Sequence, residues 1–144
     1  VLHDWQLKSV IAALASLFCW AIGGWDALAQ ALVLLVALDV LAGLARAFNE
    51  KRLNSSVMRR GLVRKICYFI AIILAVLVDR SVLHGAPAMR TLVISYLCVN
   101  EALSVAEHLA AVGVPLPAQL KRALEKVRKE LNDDESRPPS QSQP

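Results

Sequence analysis

Apolar residues gather in four long runs along the chain, and each run is close to the length of a bilayer crossing. A helix needs about 20 residues to traverse the hydrocarbon core, and the runs extend from about Ser9 to Trp25, Ala27 to Phe48, Leu62 to Leu83 and Pro87 to Val112. Four transmembrane helices are expected. The third and fourth runs are interrupted: the charge-free stretch Ile66 to Val78 reaches full length only with Asp79 in or near the membrane, and the last must admit Glu101. A re-entrant hairpin is the competing arrangement.

After the fourth run the pattern changes. Gly113 to Pro117, GVPLP, stops a helix, because proline cannot continue one and glycine favours its cap. AQLKRALEKVRKEL then places Leu120, Leu124, Val127 and Leu131 on one face, with basic residues mostly opposite. That amphipathic helix suits an anionic membrane surface or a contact between copies. The closing NDDESRPPSQSQP is acidic, then rich in proline and serine, and is expected to be disordered. The chain thus divides into a helical transmembrane domain (1–112), a cytoplasmic amphipathic helix (113–131) and a tail (132–144).

Composition agrees with the bilayer as solvent. Of 144 residues, 56% are hydrophobic, and the mean hydropathy is +0.49. A soluble domain this small has too little interior for so much apolar side chain. A secretory signal peptide would be followed by a polar mature domain, whereas here the apolar segments continue. Because the first residue is Val1, a preceding leader or initiator residue is left open.

Charge sets the orientation. Between the second and third runs lie Arg46, Lys51, Arg52, Arg59, Arg60, Arg64 and Lys65 against Glu50, and after the fourth come Lys121, Arg122, Lys126, Arg128 and Lys129. The segment GGWDALAQ between the first two runs has neither Lys nor Arg. By the positive-inside rule the basic segments and both termini are cytoplasmic. Arg59, Arg60, Arg64, Lys65, Lys121 and Arg122 are then expected to face lipid headgroups; without interleaved aromatics they do not suggest nucleic acid.

Several polar residues fall at membrane depth: Asp39, Asp79, Asn100, Glu101, Ser104, Glu107 and His108. Glu101, Ser104 and His108 share a helical stripe, and Asp39 shares a face with Gly43, where a small residue lets backbones approach. Such faces point at protein or water. Asp39 is open to two readings, a group lining a pore or a packing lock paired with Arg46 or a donor on another helix. Asp79, beside Arg80, belongs either to the span or to the outer interface. Ser104 and Glu107 fit a capping box, so the fourth helix is open to a restart there. In the first run Ala12, Ser16, Cys19 and Gly23 form a small-residue stripe that suits close helix packing.

Chemistry of other kinds is missing from the sequence. It has no G-x-S-x-G, no H-E-x-x-H and no phosphate-binding glycine loop. Glu101 and His108 are about 10 Å apart along a helix, too far to share a metal, and Cys19, Cys67 and Cys98 sit singly in different runs as reduced packing residues. No enzyme, cofactor or metal site is expected.

Three blocks carry a family likeness. They are LDVLAG (Leu38 to Gly43), SSVMRRGLVRK (Ser55 to Lys65) with its apolar span ending in Asp79, and NEALSVAEHLAAVGVPLP (Asn100 to Pro117) before a charged helix. In order and spacing they resemble the phage lysis and toxin-secretion holin family. Val40, Ala42 and His108 depart from it, the last standing where asparagine is usual. The resemblance implies a homo-oligomer of the bacterial inner membrane that opens a lesion for an endolysin or toxin. The alternatives are a non-conducting scaffold that recruits a soluble partner and a small proton-coupled exporter using an intramembrane carboxylate.

Overall fold

The computed structural model describes the backbone of residues 2–51 and 55–136, and the side chains of residues 4–51 and 59–132. Within them the chain forms five helices and no strand: α1 (Leu2–Ala21), α2 (Ala27–Asn49), α3 (Ser55–Ser81), α4 (Ala88–Ala111) and α5 (Ala118–Ser136). Among the described residues three are long and apolar enough to cross a membrane: α2, the Arg59–Ser81 part of α3, and α4. α1 is not among these; it is 20 residues long and carries Asp4 and Lys8 in its first two turns.

The helix ends follow local chemistry. α1 stops at Ala21, short of the expected Trp25, because Gly23 and Gly24 take φ values of +80° and +112° and their N–H groups bond back to Trp20 O and Cys19 O. Asp26 then caps α2 by accepting the Ala29 N–H at 2.9 Å. α3 and α4 are unbroken over 27 and 24 residues. α4 runs straight through Ser104, and no restart occurs there. α5 starts after Pro117 and continues to Ser136, so the expected tail is helical at its start. Residues 137–144 lie outside the described residues.

α4 is the central helix, packed against α2, α3 and α5. Its contact stripe reads Arg90, Ile94, Leu97 and Glu101, all buried at spacings of four, three and four. α3 answers with Lys65, Tyr68, Ile72, Val76 and Asp79, again all buried. The apolar core joins Ile22, Ala29, Leu32, Tyr68, Ile72, Val76, Ile94 and Leu97. It lies toward the end where α1 turns into α2 and α3 into α4, here termed the hairpin end.

The outward faces are apolar. Leu34, Leu41, Ile66, Ile70 and Leu74 are each more than half exposed, as expected of helices whose surroundings are lipid. Beyond its first two turns α1 is largely apolar, and it touches the rest mainly near its carboxy end, where Phe18 meets Phe69 with ring centroids 5.4 Å apart.

Candidate functional site: two buried polar clusters

Of the acids expected at membrane depth, Asp39, Asp79 and Glu101 lie inside the protein, in two clusters. At the hairpin end Asp79, near the end of α3, accepts the backbone N–H groups of Met89 and Arg90, both at 2.8 Å. It caps α4 from another helix, because Pro87 stands at the N-cap with no side-chain cap of its own. Arg90 in turn reaches under the α1–α2 turn. Its guanidinium donates to Ile22 O at 2.6 Å, to Gly24 O at 3.0 Å, and to both carboxylate oxygens of Asp26 at 2.7 and 3.1 Å. Through its side chain and its backbone N–H, Arg90 brings the ends of four helices together.

This arrangement needs Gly23. A Cβ there would stand 2.7 Å from Arg90 Cδ, and the φ of +80° suits glycine. Arg80 closes the same end from outside, its guanidinium donating to Trp20 O at 2.8 Å and lying 4.2 Å from the Trp20 ring. Asp26 is held well below the usual carboxylate range, at about 2, first by the Arg90 hydrogen bonds and then by the Ala29 N–H. It stays ionised at any physiological pH.

The second cluster sits roughly 20 Å from the hairpin end at the helical rise. Lys65 of α3 pairs with Asp39 of α2 at 2.9 Å and, more closely, with Glu101 of α4. Glu101 is fully buried, and Asp39 and Lys65 are 5% and 6% exposed. The Tyr68 hydroxyl donates to Glu101 at 2.9 Å, and Asn100 Nδ2 donates to that hydroxyl at 3.4 Å. His108 Nε2 faces the second oxygen of Asp39 at 3.6 Å. Three helices are joined through one ammonium group.

Lys65 therefore corrects the expectation of a lipid-facing base. It shares a stripe with Tyr68, Ile72, Val76 and Asp79, whereas Arg59, Arg60 and Arg64 point outward. That spacing, an acid and a base at opposite ends of one apolar stripe, was the available signal. By charge alone Lys65 is not distinguished from the other bases of its segment. Arg90 carries the same kind of signal, since it continues the Glu101 stripe of α4. Asp39 takes its partner from another helix, while Arg46 pairs with Glu50 at 2.7 Å.

The remaining expected residues divide. Gly43 packs against His108, since a Cβ added there would lie 3.4 Å from Nε2. Ser104 is half-buried on the α4 stripe, and Glu107, Lys121 and Arg122 are exposed. Ala12 and Ser16 are exposed, so within one chain the small-residue stripe of α1 is not a packed face. The three cysteines are free. Among the described residues no group of three His, Cys, Asp or Glu side chains is placed to hold a metal.

Residues 16–129 match the family model of the bacteriophage holin family. The chain belongs to the bacteriophage holin family. The match takes in both clusters, from Asp26 to His108, and much of α5. Among relatives of this holin-family chain is an uncharacterized 14.9 kDa protein from the nagH 3′ region of Clostridium perfringens, 35% identical over 84% of this chain and 92% of its own length. YqxH of Bacillus subtilis is 35% identical over 69% of this chain and 70% of its own. A protein named as a probable holin, from Bacillus phage phi105, is 33% identical over 60% of this chain and 64% of its own. No solved structure matches the holin-family chain.

Proposed function

We propose that this protein is a non-enzymatic holin that gathers in the bacterial inner membrane and opens a lesion for an endolysin or toxin. The observation that carries the reading beyond family membership is the Asp39–Lys65–Glu101 triad, buried between three helices of membrane-crossing length. In this reading α1 is a fourth span, both termini face the cytoplasm, and α5 lies on anionic headgroups through Lys121 and Arg122. The hairpin end is then external.

The triad supplies a closed state that water can undo. In an apolar surround, separating a buried pair leaves uncompensated charge, at about 3–5 kcal/mol. Hydration removes most of that penalty. Copies that gather through their apolar faces can exchange contacts within a chain for contacts between chains, and α2, α3 and α4 then separate with Asp39, Lys65 and Glu101 turned toward water. The lining is mixed in charge, with a lysine among the acids, and suits release of folded protein better than selection of an ion.

The test is inducible expression in bacteria with membrane potential and escape of a cytosolic marker enzyme read together. A holin gives abrupt depolarisation followed by marker release. A second reading has one observation in its favour: α5 keeps Leu120 and Val127 more than a third exposed beside its basic residues, as a docking helix would. A scaffold of that kind gives no leak from liposomes and captures a soluble partner only while the residues after Pro117 are present.

A further inference from the structure

The inner cluster sets two carboxylates, Asp39 and Glu101, against one ammonium, Lys65. Its balance is −1 while the imidazole of His108 is neutral, and net charge at this depth is costly. The two acids are served unequally. Glu101 receives Lys65 on one oxygen and the Tyr68 hydroxyl on the other. Asp39 gives Oδ2 to Lys65, but its Oδ1 is buried and has no hydrogen-bond donor.

What faces that oxygen is His108 Nε2, at 3.6 Å. The separation is within reach of an ion pair and just beyond a hydrogen bond. His108 Nδ1 is also buried without a partner. We propose that Asp39 and His108 form a proton-binding site, in which one proton taken up between Asp39 Oδ1 and His108 Nε2 brings the whole cluster to neutrality. Imidazole is the side chain whose ordinary charge change falls between about pH 5 and 8, which makes that range the one to test.

The surrounding groups support this assignment. From α2 the site meets Asp39, and from α3 Lys65, already engaged by both acids, and Tyr68, engaged by Glu101. On α4 the other acids are Glu101 and the exposed Glu107; on the α5 side Lys121 lines a separate groove with Glu107. None of these replaces the missing donor on Asp39 Oδ1. Gly43 leaves room for the ring. The His108 side chain is 26% exposed in the last turn of α4, so a proton arrives from the α5 end while Asp39 stays enclosed. The pH at that face then sets how firmly α2 and α4 are joined. Its bearing on lesion opening rests on the proposed function; the site does not.

The sign follows from the geometry. The protonated imidazole gains Asp39 as partner only in the folded chain, so taking up the proton favours the folded chain. The test is thermal unfolding of the full chain in detergent micelles at about pH 5 and about pH 8. The wild type should unfold at least about 3 °C higher at the acid pH. His108→Gln and Asp39→Asn should each lose that difference, and His108→Lys, with a fixed charge, should be the same at both. A wild type that is flat or reversed, or a His108→Gln variant that keeps the wild-type difference, overturns the site.

If the Gln variant does not fold, the ring-nitrogen resonances of His108 in the wild type decide. No change between the two pH values overturns the site, and a titration altered by Asp39→Asn supports it. Dye release from liposomes separates the two proposals. Leak equal at both pH values, with a titrating His108, removes the link to opening; no leak at either removes the holin reading and leaves the proton site standing.

Discussion

The hairpin end and the inner cluster are built from the same chemistry, carboxylates with one buried base, yet they differ in how completely that chemistry is satisfied. Arg90 makes four hydrogen bonds to two carbonyls and a carboxylate, and Asp79 spends both oxygens on backbone N–H groups. Every partner there is backbone or is Asp26, itself the cap of α2. In the inner cluster Lys65 must serve two acids from two helices, and Asp39 Oδ1 and His108 Nδ1 have no partner. The first is a joint that holds, and the second is one that can let go.

Position reinforces the difference. Asp26 is half exposed beside the turn, so water shares in solvating the Arg90 pair. Glu101 is fully buried, and nothing but Lys65 and Tyr68 stabilises its charge. Under the proposed function, this asymmetry would have opening begin at the α5 half and pivot on the hairpin end.

The comparison breaks most directly at Lys65. Lys65→Met leaves Asp39 and Glu101 buried together without a counter-charge, a loss of about 3–5 kcal/mol. The expected result in cells is early, poorly timed leak, read as depolarisation soon after induction. Unchanged timing would mean that the triad does not hold the closed state.

Arg90→Ala should be the next largest, at about 2–3 kcal/mol, because it strips charge-assisted hydrogen bonds from Asp26 and from two carbonyls. Its signature is local: proteolysis within the α1–α2 turn should rise while the Lys65 contacts persist. Gly23→Ala attacks the same joint through the backbone. With φ at +80° and a Cβ 2.7 Å from Arg90 Cδ, it should destabilise by about 1–2 kcal/mol, measured by thermal unfolding. Gly43→Ala, with its nearest contact at 3.4 Å from the end of the His108 ring, should cost less than Gly23→Ala.

The smallest effect is that of pH on the hairpin end. Asp26 is lowered from 3.8 to about 2, so its contribution is present above the unfolded value and disappears only as pH falls from about 4 through about 2. Between pH 8 and 5 the Arg90 joint should therefore not respond, which proteolysis of the α1–α2 turn can follow.

Much of the molecule was legible in the residues themselves. Apolar runs separated by Gly23–Gly24, by the basic segment and by GVPLP mark the helices, because turn chemistry and helix length are local properties. The stripes that place Glu101 with His108, and Asp39 with Gly43, are likewise local. Asp39 and Glu101 at depth implied that partners exist, since lipid offers none.

Which partners they take is not a local property. Lys65 and Arg59 look alike in a basic segment, and only the rotation of α3 against α4 turns one inward and the other to solvent. Arg90 is a lone base near the start of the fourth apolar run, and it gains its partners only when α1 and α2 are placed around it. Composition and periodicity determined that this chain is helical and apolar, with acids held inside. Tertiary packing decided that one lysine balances two of those acids and one arginine ties the hairpin end, because pairing depends on distances between helices far apart in the chain.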